Sequence, residues 1–155
     1  MVVLDETTLE QVYITADMAI DAPSQDVWSI VGAFGEPTLG KGFVTKVELE
    51  GEGVGAVRTL YLTNDVVGDV VRERQTGRDE RGMYYAFELI DTGGIPFTDY
   101  YACAHVVPVD ENSCRLLWLN RYRAAPAAVA DMKAQSHKLL QLVERNLKEA
   151  LKGRT

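Results

Sequence analysis

Cysteine and histidine are scarce in this chain, two of each in 155 residues, and that scarcity removes several chemistries. Cys103 and Cys114 flank the stretch VPVDENS. A turn centred near Asp110–Glu111 sets Cys103 opposite a residue beyond Leu117, not opposite Cys114. Two free, reduced thiols are therefore expected. A zinc site needs more ligands than two cysteines and two distant histidines supply, so no metal is expected. Positive charge is also short: 16 Lys and Arg stand against 23 Asp and Glu, a formal net charge of -7. A nucleic-acid backbone or an anionic membrane surface calls for the opposite balance. No apolar run approaches the roughly 18 residues of a membrane helix. The opening MVVLDETTLEQV is acidic and has no apolar signal-peptide core, so a cytoplasmic location is expected. Repeats, linkers and low-complexity segments are missing too, and one domain over 1–155, with its core at about 11–152, is the expectation. GxSxG, HExxH and phosphate-loop patterns are absent. GEGVG opens a strand and so reads as a hairpin turn, and no cofactor is expected.

What remains is an ordinary globular composition, 46% hydrophobic and 25% charged. Gln11–Ile20 alternates, with Val12, Ile14, Ala16, Met18 and Ile20 on one face, and reads as a strand. DAPSQDVWSIVGAF reads as a short helix, with Pro23 in its first turn and Ser24 or Asp21 as cap. EPTLGKG is a further helical turn or a loop. Strands follow over Phe43–Glu50, Val57–Thr63, Val66–Gln75, Met83–Asp91, Asp99–Val109 and Cys114–Arg123. Gly51, Gly53 and Gly55 form the first turn among them. From Pro126 to Lys152 apolar residues recur at helical spacing, including Met132, Ser136, Leu139, Leu140, Val143 and Leu147, with Gly153 as stop. This order describes an α+β domain: a seven-stranded, curved antiparallel sheet wrapped around a long C-terminal helix, with two short helices after strand 1. A sheet of that shape cannot close fully on one helix, and a cavity between them is expected.

Arg58 and Glu73 interrupt faces that should be apolar. Arg58 shares its parity with Leu60 and Leu62, and Glu73 shares its parity with Val71 and Val67, so both charges point inward. Buried charge is costly unless paired or used. Two readings stand side by side: a ligand anchor with a base, or an internal salt bridge fixing adjacent strands. Both can hold at once. Tyr85 and Phe87 share an inward parity, as do Tyr100 and Ala102 in the next strand, where small residues leave room. Trp118, Asn120 and Tyr122 line up on one face of the last strand. Asn120 is either a polar handle for a carbonyl or a partner of backbone or water. Met132, Ser136 and Leu140 represent the helix face toward the cavity. His105 falls on the outer face, and Lys133 and His137 on a solvated helix flank.

AIDAPSQDVWSIVGAFG, EGEGVGAVRTL, VVRER, IPFTDYY and LLWLNRY before the long helix resemble the START-like, Bet v 1-type (SRPBCC) superfamily. Within it the chain is most similar to the polyketide cyclase/dehydratase-like branch. The resemblance implies a helix-grip fold with a deep cavity for a hydrophobic or aromatic small molecule, in a monomer or homodimer. In similar proteins, including plant abscisic acid receptors, Arg and Glu occur at positions matching Arg58 and Glu73, an aromatic at Tyr100, and a carboxylate-binding Lys near Lys41. The expectation is cofactor-free cyclisation, dehydration or lyase-type chemistry on an apolar or aromatic carbonyl compound. Glu73 would be its base, and Arg58 with Tyr85 or Asn120 would stabilise the enolate oxygen. Binding, transport or sensing without chemistry is the alternative, and docking of a partner protein a third.

Overall fold

A computed structural model describes residues 8–63 and 69–153. The opening residues 1–7 and the expected loop at Asn64–Asp65, with Val66 and Val67, lie outside the described residues. Seven antiparallel strands form one sheet in the order β1-β7-β6-β5-β4-β3-β2. They are β1 (Glu10–Ile20), β2 (Val44–Glu50), β3 (Val57–Leu62), β4 (Val70–Asp79), β5 (Tyr84–Asp91), β6 (Thr98–Asp110) and β7 (Ser113–Ala124). Between β1 and β2 the chain forms helix α1 (Ser24–Val31) and a 3-10 turn (Thr38–Gly40). The chain ends in helix α2 (Pro126–Lys152), which packs against β1, α1 and the 3-10 turn. The helix-grip arrangement is present: an open curved sheet closed on its concave side by α2.

Alternation drives this layout. In β7 every second residue is buried, Cys114, Leu116, Trp118, Asn120, Tyr122 and Ala124, while Arg115 and Arg121 face water. Ala102, Ala104 and Val106 of β6 do the same beside it. Helix α1 buries Val27, Trp28, Ile30 and Val31. The β6–β7 hairpin pairs Asp110 with Ser113 and sets Cys103 opposite Leu119, so the two cysteines remain free. No described helix is long and apolar enough to cross a membrane.

Two local expectations differ, and one turn has a strict requirement. Pro23 occupies the cap position of α1, no side chain caps it, and the Pro23 carbonyl accepts the Asp26 and Val27 amides. Strand β4 runs on to Asp79, although RERQTGRD carries no apolar residue to announce it. A register shift between Gln75 and Gly77 accommodates the extension, and buried Gln75 donates to the Gly53 carbonyl at 2.6 Å. The connection from β5 to β6 turns at Gly93, with φ +59°. A Cβ there would sit 2.2 Å from the Val70 carbonyl oxygen, so only glycine fits. That turn carries Ile95 and Phe97 over the mouth of the space under α2.

Candidate functional site

A cavity of about 180 Å³ lies between α2 and the concave face of the sheet. Leu60, Leu62, Val71, Phe87 and Leu89 line it from the sheet, Met132, Leu139, Leu140 and Val143 from α2, and Phe43, Ile95 and Phe97 from connections. Arg58, Glu73, Tyr85, Tyr100, Trp118, Asn120 and Ser136 supply polar atoms within it, with Glu36 and Gln135 also in the lining.

Arg58 and Glu73 stand directly opposite each other on β3 and β4. The Arg58 Nε donates to Glu73 Oε1 at 2.8 Å, with side-chain exposures of 12% and 7%. Arg58 Nη1 donates to the Phe34 carbonyl at 3.0 Å, just past the end of α1. The guanidinium carbon lies 4.1 Å from the centre of the Phe34 ring and 4.7 Å from that of Phe87. Its remaining N–H groups are left for the neighbouring Tyr85 hydroxyl and for whatever fills the cavity. Glu73 Oε2 accepts no hydrogen bond from a described residue.

Burial pushes the Glu73 carboxyl above its ordinary range, and Arg58 pulls it part of the way back. Burial works against the charge of Arg58, but the carboxylate and the Tyr85 hydroxyl more than restore it. The Tyr85 and Tyr100 hydroxyls are both pushed up by burial and stay protonated at neutral pH. Asn120 Oδ1 accepts from Trp118 Nε1 at 2.9 Å, which turns its amide NH2 group into the available donor. Ser136 Oγ donates back to the Met132 carbonyl at 2.8 Å.

Of the residues singled out in the sequence, Arg58, Leu60, Leu62, Glu73, Tyr85, Phe87, Tyr100, Trp118, Asn120, Met132, Ser136 and Leu140 meet at this cavity. Three do not line it. Lys41 is exposed at the end of the 3-10 turn, and its contribution is a backbone carbonyl accepting from Asn146 Nδ2. Ala102 lies on the concave face, but longer Phe87 and Asn120 flank it in the register and leave it fully covered. Tyr122 is buried beneath Tyr100 and Phe97, with ring centres 6.2 and 5.1 Å away.

Phe34 and Asn146 escape a reading by pattern. Phe34 sits past a helix end, where no periodicity applies. Asn146 lies between Arg145 and Leu147 in a helix, yet it is buried and donates to both the Leu39 and Lys41 carbonyls at 2.8 Å. That amide ties the 3-10 turn at the cavity mouth to α2.

A family model described as polyketide cyclase / dehydrase and lipid transport matches residues 11–152. No curated protein matches the chain in sequence. Among solved structures, norcoclaurine synthase from Thalictrum flavum, in complex with dopamine and hydroxybenzaldehyde, superposes with a TM-score of 0.80 at 18% identity, covering 100% of this chain and 94% of that one. The Zhui aromatase/cyclase from Streptomyces sp. R1128 gives 0.80 at 15% identity, covering 94% and 96%. XoxI from Bacillus cereus gives 0.75 at 20%, covering 89% and 94%. The chain belongs to the polyketide cyclase / dehydrase and lipid transport family.

Proposed function

From that membership we propose that the cavity holds an apolar or aromatic carbonyl compound and promotes its cyclisation, dehydration or a lyase-type step with the chain's own residues. The observation that carries this reading is the Arg58–Glu73 pair, joined at 2.8 Å and opening with unused donors and a free carboxylate oxygen into an apolar space. An apolar cavity of about 150 Å³ holds one benzene, so the present space suits a substituted ring. Norcoclaurine synthase, with its one-ring ligands, supports the same scale by analogy.

The chemistry follows from charge. Glu73 takes the proton from a carbon α to the carbonyl. The C–H bond breaks, and its electron pair moves into the enolate. The oxygen of that enolate is stabilised by Arg58, with the Asn120 amide as a second donor. Negative charge passes from carboxylate to enolate beside the same guanidinium, so no net charge is created in the cavity. Burial raises the Glu73 pKa from 4.5 toward the working pH, which favours a base of this kind. Elimination of water or ring closure then proceeds from the enolate, with Glu73 returning the proton.

A second reading, binding without turnover, draws on the tyrosines. With Tyr85 and Tyr100 held protonated, their hydroxyls remain donors that can hold a ligand oxygen without any proton being transferred. Incubation with a panel of aromatic and polyketide-like carbonyl compounds, followed by mass spectrometry of the products, separates the two. Conversion by the wild type and its loss by roughly 10²–10⁴-fold in Glu73→Gln support catalysis. Unchanged turnover in that variant removes Glu73 from the mechanism. A ligand that co-purifies, stays bound in native mass spectrometry and is never converted favours the second reading.

A further inference from the structure

The charges around the cavity have a consequence for what can occupy it. Among the described residues three charged side chains line it: Arg58, Glu73 and Glu36. The one cation among these described residues is already paired at 2.8 Å with a carboxylate buried as deeply as itself. Lys41 and Lys133, the nearby candidates for a second cation, are exposed and outside the lining. Arg78, the other arginine reaching the end of α1, donates to the Gly32 carbonyl, Gln75 and Glu80 and does not line the space.

We infer that the cavity selects ligands without negative charge, and that Glu73 enforces this choice as the resident counter-ion of Arg58. The inference rests on the cavity-binding part of the reading above and names the charge class of the ligand. An incoming carboxylate would reach Arg58 only beside Glu73, placing two like charges in a water-poor space. One of them must then take up a proton or leave. A ketone, phenol or ester meets no such conflict. Its oxygen accepts from the spare guanidinium N–H groups or the Asn120 amide, and any hydroxyl it carries donates to Glu73 Oε2. Removing the charge of Glu73 leaves Arg58 in place as an unpaired cation, which is a carboxylate receptor.

Acetophenone and benzoate share a ring and a carbonyl and differ by a methyl against an anionic oxygen. Isothermal titration calorimetry at pH 7.5 is expected to show wild-type protein binding acetophenone at least tenfold more tightly than benzoate. In Glu73→Gln, benzoate should tighten at least tenfold, and the double variant Arg58→Met/Glu73→Gln should lose that gain. Equal wild-type affinities for the two compounds overturn the inference, and this comparison needs no variant to fold. A folded Glu73→Gln protein that binds acetophenone but gains nothing for benzoate overturns it as well. Wild-type protein that binds neither removes the cavity-binding reading, and the inference falls with it.

Discussion

Arg58 on β3 and Arg78 on β4 each reach a backbone carbonyl just past α1, Phe34 for one and Gly32 for the other. Each lies against an aromatic ring and pairs with a glutamate. The surroundings divide them. Arg78 faces Glu80, whose side chain is 66% exposed and whose second oxygen accepts from Trp28 Nε1 at 2.9 Å. Gln75 Oε1 accepts a further bond from Arg78 at 3.1 Å. In that cluster Arg78 places three of its five N–H groups on protein acceptors, stays outside the cavity lining and fastens α1 to the sheet. Arg58 has the same equipment but a partner 7% exposed, and its leftover hydrogen-bonding capacity points into a cavity. Residue type does not distinguish a fastener from a binding group. What does is whether the fold turns its unmatched polar atoms into the cavity, as for Arg58, or leaves them outside the lining, as for Arg78.

The largest expected effect comes from Arg58→Met. It strands a buried carboxylate, and urea denaturation at pH 7.5 should show a loss of about 3–5 kcal/mol. Next is Asn146→Ala, which frees the Leu39 and Lys41 carbonyls, with about 1–3 kcal/mol expected by the same measurement. Arg78→Met should cost about 1–2 kcal/mol, because Glu80 can turn to water, and should leave ligand affinity in the cavity unchanged. Equal losses for the two arginine variants, or a ligand effect at Arg78, would break the comparison.

A gentler test uses pH. The folded-state pKa of Glu73 is raised above 4.5, so its contribution to stability is complete below that value. It falls away as pH rises through the folded pKa. Wild-type stability followed from pH 5 upward should therefore carry a downward component that Glu73→Gln lacks. Glu80, lowered by its bond from Arg78 and then by Trp28, acts in the opposite sense: its stabilising share is present above the ordinary carboxylate range and is lost on acidification. Its exposure keeps that share under about 1 kcal/mol. A Glu80→Gln variant that flattened the same limb above pH 5 would contradict the assignment. Smallest of all, burial pushes both thiols up, so Cys103 and Cys114 should react with a thiol reagent at pH 8 more slowly in native protein than in urea.

Strand parity made the inward placement of Arg58 and Glu73 legible, because leucines and valines at every second position declare which face is dry. The long helix was legible to the residue at both ends, with Pro126 opening it and Gly153 closing it. Parity gives a face but not a depth. Ala102 and Tyr122 sit on the correct face and are roofed by neighbours, a matter of side-chain length on adjacent strands. The end of β4 beyond Gln75 was illegible because Thr76, Gly77, Arg78 and Asp79 carry no apolar signal, and Arg78 finds its carbonyl partner at Gly32, distant in sequence. Asn146 was illegible for the same reason: its partners lie more than a hundred residues away along the chain.

The chain contains two tryptophans. Trp118 lines the cavity and hydrogen-bonds Asn120 there, while Trp28 is held by Glu80 and Arg78 outside the lining. Occupancy therefore perturbs one indole and leaves the other as an internal standard. Emission from a Trp28→Phe protein reports the filling of the cavity, and that from Trp118→Phe reports only whether the chain is folded. The protein carries its own optical probe for screening ligands, with no label attached.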